Sequence, residues 1–201
     1  MLLKHCPHIL FITLISLLIA CSNIEVEPES DKTDTDHPSR HTKQSTASQD
    51  SNQQISSTAP DFALPDISGS LVKLDDLLIQ NQFVVLVFYR GHFWGICQSQ
   101  LVELEEALEQ FRDVNSEIVG ISMDSVSEAA DLVKSLDLGY KLLSDPQANM
   151  IKAYGVYNLL DDGVATPSVF IIGSGKKIIW NYIGKNISDR PSIENILAKF
   201  N

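Results

Sequence analysis

Cysteine is scarce in this 201-residue chain, which has only Cys6, Cys21 and Cys97. A disulfide-stapled domain is therefore excluded. A Cys-x-x-Cys dithiol is excluded as well, because Trp94-Gly95-Ile96-Cys97 carries only its second member. Basic residues are also few: 15 Lys and Arg stand against 26 Asp and Glu, for a net charge of −11. That balance argues against a nucleic-acid partner, whose phosphates must be neutralised by Lys and Arg. Beyond residue 58 there is one thiol, Cys97, and one histidine, His92. The soft ligands for a closed metal site are missing, and neither a metal nor another cofactor is expected. There are no internal repeats.

The longest apolar run, Ile9 to Ala20, is too short to span a bilayer. With Lys4 ahead of it, the run reads as the core of a signal peptide covering residues 1–20. Its end, Leu18-Ile19-Ala20-Cys21, resembles the lipobox of bacterial lipoproteins, in which cleavage precedes the cysteine and its thiol is acylated. This resemblance implies lipidation at Cys21 and export to the periplasmic face of a membrane, with Ser22 resembling the outer-membrane class. An incidental cysteine behind an ordinary signal is the alternative. Residues 21–58 are rich in Ser, Thr, Asp, Glu, Gln and Lys, with Ile24, Val26 and Ile55 as the larger aliphatics. Such a stretch buries too little apolar surface to offset its ordering entropy and is expected to be a disordered tether. His37 and His41 within it lack partners for a metal site.

Residues 59–201 have the size of one ordinary domain, about 140 residues. Phe83 to Tyr89 (FVVLVFY) is the continuous apolar run of a strand buried on both faces. A short polar crossover, Arg90 to Ile96, leads to Cys97, which is expected to open a helix. In that helix Leu101, Leu104, Leu108 and Phe111 form one stripe and Glu103, Glu105, Glu106 and Glu109 the other face. A thiol at a helix start meets unpaired N–H groups and the positive end of the dipole, both of which favour a thiolate. Arg90 and His92 add donors nearby. A buried cysteine serving as a small hydrophobe is the alternative.

Around this centre strands and helices alternate. A hairpin is expected at Phe62 to Leu74, a strand at Glu117 to Ser122 and a helix from the capping box Ser125-Val126-Ser127-Glu128 to Leu136. A short strand at Lys141 to Leu143, a short helix at Ala148 to Tyr154, a hairpin across Gly173-Ser174-Gly175 and a helix at Pro191 to Phe200 follow. The pattern is α/β, with a mixed central sheet and helices on both faces.

These residues resemble a known family. The strand, the crossover to Cys97, Leu143-Ser144-Asp145-Pro146 and the terminal hairpin look like a three-layer thioredoxin-like fold. More narrowly, Ala59-Pro60-Asp61-Phe62 and Ala153-Tyr154-Gly155-Val156 resemble peroxiredoxins of the alkyl hydroperoxide reductase/thiol-specific antioxidant type. The resemblance implies a thiol-dependent peroxidase in which Cys97 attacks hydrogen peroxide or an organic hydroperoxide. It also implies an external thiol reductant, a thioredoxin-like protein or a small thiol, and allows a homodimer. The family motif Pro-x-x-x-Thr-x-x-Cys is altered, with Arg90 at the proline and Trp94 at the threonine. Indole donates a hydrogen bond but cannot accept one, unlike a hydroxyl. The family's arginine before the hairpin falls near Pro167, where Thr166-Pro167-Ser168 resembles the thioredoxin loop that faces the active cysteine.

Of the domain's arginines, Arg112 lies at the far end of the Cys97 helix and Arg190 precedes the last helix, so Arg90 is the expected cation for the thiolate. His92 could donate to a peroxide oxygen or take the thiol proton. Phe93, Trp94, Thr166 and Pro167 are expected to line the pocket. Two alternatives stay open: a thiol-disulfide partner protein working through Cys97, and a non-catalytic binding module on the same scaffold.

Overall fold

The computed structural model describes residues 57–200. The expected signal peptide, Cys21 and nearly all of the tether lie outside the described residues. A hairpin of β1 (Ala63–Pro65) and β2 (Leu71–Lys73) forms a small sheet of its own. Helix α1 (Leu74–Gln80) follows, an element not among those expected from the sequence pattern; it buries Leu74 and Leu77 with Asp75 and Asp76 in its first turn. The main sheet has the order β5-β4-β3-β6-β7. Its strands are β3 (Phe83–Phe88), β4 (Ser116–Ser122), β5 (Lys141–Ser144), β6 (Ser168–Gly173) and β7 (Lys177–Ile183). The helices are α2 (Gly95–Glu106), α3 (Leu108–Asp113), α4 (Val126–Leu136), α5 (Asn149–Ala153) and α6 (Ile193–Leu197).

The two-residue period of β3 divides the core. Val85, Val87 and Tyr89 face one cluster with Leu101, Leu104 and Phe111, together with Ala129 and Leu132 of α4 and Ile196 of α6. Val84, Leu86 and Phe88 face the other, with Leu74, Leu77, Ile151 and Phe170. Both faces of the sheet are covered by helices, so this is the three-layer α/β arrangement expected from the sequence.

Strand direction decides what the sheet can present. β3 pairs parallel with β4, and β4 with β5, while β6 runs antiparallel to both β3 and β7. The carboxyl ends of β3, β4, β5 and β7 therefore lie along one edge. The segment just before β6, ending at Pro167, lies on that same edge, because Phe88 pairs with Ser168.

Local differences from the expected elements have simple causes. The helix carrying Cys97 starts two residues earlier, at Gly95, and bends at Ala107, where φ is −97° and ψ is 3°. The Gln110 N–H closes a tightened turn onto the Ala107 carbonyl at 2.9 Å, and the bend keeps Leu108 and Phe111 on the sheet. The last helix starts two residues later because Ser192 provides the N-cap, accepting from the Asn195 N–H, and it ends at Leu197. The capping box at Ser125 and Glu128 is formed as the sequence predicts.

Gly120 in β4 has no space beside it, since a Cβ there would lie 2.4 Å from Leu142 Cδ2 and 3.4 Å from the Tyr89 ring. Gly120→Ala is expected to cost about 1–3 kcal/mol of stability by overpacking. The check is a lower urea midpoint at an unchanged slope.

Candidate active site

The chain leaves β3 at Tyr89, whose backbone still pairs with the Ile121 carbonyl at 3.1 Å. Arg90 follows and is 3 % exposed. Gly91 then takes φ +139°, a conformation that side chains rarely adopt, and a Cβ there would press on Asp124 Oδ1 at 3.1 Å. This turn brings the chain back over the sheet, with Trp94 as the N-cap residue of α2. The Trp94 carbonyl accepts from the N–H of Cys97 at 2.9 Å and of Gln98 at 3.1 Å. Cys97 is thus the third residue of the helix, its own N–H engaged, and its side chain is 1 % exposed.

The cation at the sulfur is not the expected one. Arg90 donates to the carboxylate of Asp162, and its guanidinium lies over the Trp94 ring, 4.1 Å from the centroid. The donor to Cys97 Sγ is Arg190, whose Nη2 lies at 3.4 Å. Arg190 also donates to the Ile96 carbonyl at 2.8 Å and to the Ile187 carbonyl at 3.1 Å. Elimination by sequence position failed because β7 runs parallel to β3, so the loop after β7 returns to the thiol. Burial lowers the pKa of Arg190 and the Arg90 charge adds to this, while the charges of Cys97 and Glu103 work in the opposite direction.

The His92 side chain is 38 % exposed and faces Asp124. Its Nδ1 lies 2.9 Å from Asp124 Oδ1, and its backbone N–H donates to the same oxygen at 3.1 Å. Among the described contacts, none joins His92 to Cys97. Asp124 is buried just after β4 and also accepts from the Ser122 hydroxyl at 2.8 Å. Tyr89, fully buried, places its hydroxyl near this carboxylate without a hydrogen-bond partner; burial first, and then Asp124, raise its pKa. His92, Asp124 and Glu128 hold their ligand atoms within 4.8 Å of one another. Within this group His92 Nδ1 and Asp124 Oδ1 face one another, and Glu128 Oε2 accepts from the Ser125 N–H and hydroxyl at 2.8 and 2.7 Å.

Of the expected pocket residues, Phe93 is 63 % exposed and stacks edge-on against His92. Trp94 is half-buried between Phe93 and Arg90. Thr166 is buried, and its hydroxyl accepts from the Leu159 N–H at 3.1 Å. Pro167 is buried one step beyond the Phe88 and Ser168 pair, and its carbonyl accepts from the Gly184 N–H at 2.8 Å. The site therefore draws on the loops after β3, β4 and β7 and on the segment before β6.

Residues 55–181 match the AhpC/TSA family. The chain belongs to this family. A putative peroxiredoxin, ycf42, of Pyropia yezoensis is 33 % identical over 154 residues, 72 % of this chain and 75 % of that protein. The chloroplastic 2-Cys peroxiredoxin BAS1 of Hordeum vulgare is 33 % identical over 128 residues, 59 % of this chain and 60 % of that protein. Among solved structures, the peroxidoxin BcpB of Mycobacterium tuberculosis superposes with a TM-score of 0.65 at 27 % identity, covering 73 % of this chain and 95 % of that one. The fold is that of the thioredoxin-like peroxiredoxins.

Sequence reasoning missed Asp124, Asp162 and the placement of Arg190. Asp124 carried a usable signal, since it lies two residues beyond a buried parallel strand, and sites in such sheets form at the carboxyl ends. Arg190 and Asp162 lie in loops without periodicity, and only the topology brings them in.

The hydrogen bond to Asp124 raises the pKa of His92 above the ordinary imidazole value of about 6.5. The folded state thus holds the proton more tightly than the unfolded state. The resulting stabilisation is fully present below the unfolded value and is lost as pH rises through the folded one. Denaturation of wild type and His92→Gln is expected to show a wider stability gap at about pH 5 than at about pH 9.

Proposed function

We propose that this protein is a thiol-dependent peroxidase working through Cys97 alone, with Arg190 as the cation that serves the sulfur. The observation that carries this reading is the guanidinium N–H of Arg190 on Cys97 Sγ, within the first turn of α2. Proximity of a fixed cation favours the thiolate over the thiol. The thiolate attacks one oxygen of the peroxide, forming the S–O bond as the O–O bond breaks. The departing oxygen takes a proton and leaves as water or an alcohol, and Cys97 becomes a sulfenic acid. A thiol reductant then condenses with the sulfenic acid, releasing water, and a second thiol resolves the mixed disulfide and returns Cys97 to its reduced form.

The buried Nε–H of Arg190 and indole N–H of Trp94 have no acceptor among the described residues. Of the two, Arg190 is the one whose guanidinium already reaches the sulfur, and it is placed to meet negative charge on the leaving oxygen. The near-complete burial of Cys97 favours a small oxidant over a protein disulfide as first reactant, which supports the peroxidase over the thiol-disulfide partner. Arg90 enters as a support: its pairing with Asp162 and its contact with Trp94 hold the crossover in place. His92 serves the same loop through Asp124.

Peroxide is expected to convert wild type, but not Cys97→Ser, to a species trapped by dimedone, and turnover is expected to require added thiol. Arg190→Ala should lower the second-order rate with peroxide by on the order of tenfold to a hundredfold. A Cys97 that reacts no faster than a free small-molecule thiol would leave a binding module as the better reading.

The segment Leu18 to Cys21 supports a second part of the proposal, a lipid anchor at Cys21 on the exported face of a membrane. It would leave the mature protein without a second free thiol, because Cys6 departs with the signal. Cys21→Ser is expected to leave the signal uncleaved or to release the protein from the membrane fraction. Mass spectrometry showing an unmodified mature start elsewhere would overturn this part.

A further inference from the structure

Arg190 lies in neither a helix nor a strand, but on the loop between β7 and α6. A long side chain on a loop loses substantial rotamer freedom when it is held on one atom, so something must fix the loop. The residue before it does so. The Asp189 carboxylate accepts from the Tyr182 hydroxyl on Oδ1 and from the Lys185 N–H on Oδ2 at 2.8 Å. Tyr182 belongs to β7 and pairs with Val169 of β6, so the carboxylate is fastened to the sheet itself.

The start of the loop is fixed independently. The Gly184 N–H donates to the Pro167 carbonyl at 2.8 Å, and the Asp189 N–H returns to the Asn186 carbonyl at 3.2 Å. The loop folds so tightly on Gly184 that a Cβ there would lie 2.5 Å from the Asp189 carbonyl oxygen and 3.0 Å from that of Pro167. A continuous chain of contacts thus runs from Tyr182 through Asp189 to Arg190 and on to the sulfur.

We propose that Tyr182 and Asp189 are positioning residues that set the reactivity of Cys97 through Arg190, without touching the sulfur themselves. The proposal rests on the reading of Arg190 as the cation of the thiol. Removing the Tyr182 hydroxyl frees one oxygen of Asp189, and removing the carboxylate frees the loop from the sheet. Either change lets the guanidinium leave Sγ, and the thiolate loses its partner.

The test uses the reduced full chain and follows alkylation of Cys97 by iodoacetamide against pH, with the Cys97 peptide quantified by mass spectrometry. Tyr182→Phe and Asp189→Ala are expected to move the profile toward higher pH, in the direction of Arg190→Ala. Their alkylation rates near neutral pH should fall by about threefold to tenfold. On an Arg190→Ala background neither should move the profile further, because the effect passes through Arg190. Gly184→Ala provides a third variant, displacing the backbone of Asp189 while leaving both clamp side chains chemically intact, and should act in the same direction. Unfolding midpoints recorded beside the profiles identify any variant that has simply lost the fold, and Tyr182→Phe, which keeps the ring, then decides.

A profile unmoved by Tyr182→Phe and Asp189→Ala while Arg190→Ala moves it would overturn the proposal, as would a further shift on the Arg190→Ala background. A profile unmoved by Arg190→Ala overturns the role of the arginine and the clamp together. Sulfenic acid formation in wild type is read separately, so a failed peroxidase reading is distinguished from a failed clamp.

Discussion

β3 has no face toward water. Five of its six residues are buried, with alternate side chains committed to opposite layers of the core. A strand so placed cannot slip by one residue without exchanging the two layers, so its register is fixed. Everything at the candidate site takes its position from that fact. The chain must leave β3 at Tyr89, turn through Gly91 and re-enter the structure as α2, and the sulfur of Cys97 comes to rest where α2 first meets the sheet. β4, β5 and β7 run in the same direction as β3 and deliver their own loops to the same edge, where the antiparallel β6 begins.

The charges on that edge are sorted rather than merely collected. Arg90 is buried and answered by Asp162, so its charge is largely spent within the fold. Asp124 is answered by His92 and by the Ser122 hydroxyl. Arg190 hydrogen-bonds two carbonyls and a sulfur and no carboxylate, with Glu103 acting on it through charge alone. Its positive charge therefore remains available to an anionic sulfur. A guanidinium also presents several donors in a fixed plane, which lets one side chain grip two carbonyls and the thiol together.

The fold was largely legible because its signals are local and strong. The run at Phe83 to Tyr89, the capping box at Ser125 and the turn at Gly173 to Gly175 each name their element without help from the rest of the chain. Cys97 was legible for the same reason. What could not be read is the chemistry of loops, where no period marks a residue as facing inward. Arg90 is the arginine nearest Cys97 in sequence, yet seven residues of separation across a turn do not decide where a side chain points. Arg190, 93 positions away, reaches the sulfur because two antiparallel steps, β3 to β6 and β6 to β7, restore the original direction.

The first turn of α2 has Trp94 at its N-cap, and no side chain satisfies the opening N–H groups there. Packing, the backbone bond from Cys97 and the grip of Arg190 on the Ile96 carbonyl hold this turn instead. Cys97 itself belongs to this turn, whose fraying has its own free energy, distinct from global unfolding. The two halves of a catalytic cycle would then run on different forms of one protein. A peroxide small enough to enter would be consumed while the turn is wound, whereas a protein reductant would wait for it to unwind. Regeneration would be timed by a local helix-coil equilibrium, and the oxidised state would persist for as long as that turn stays closed.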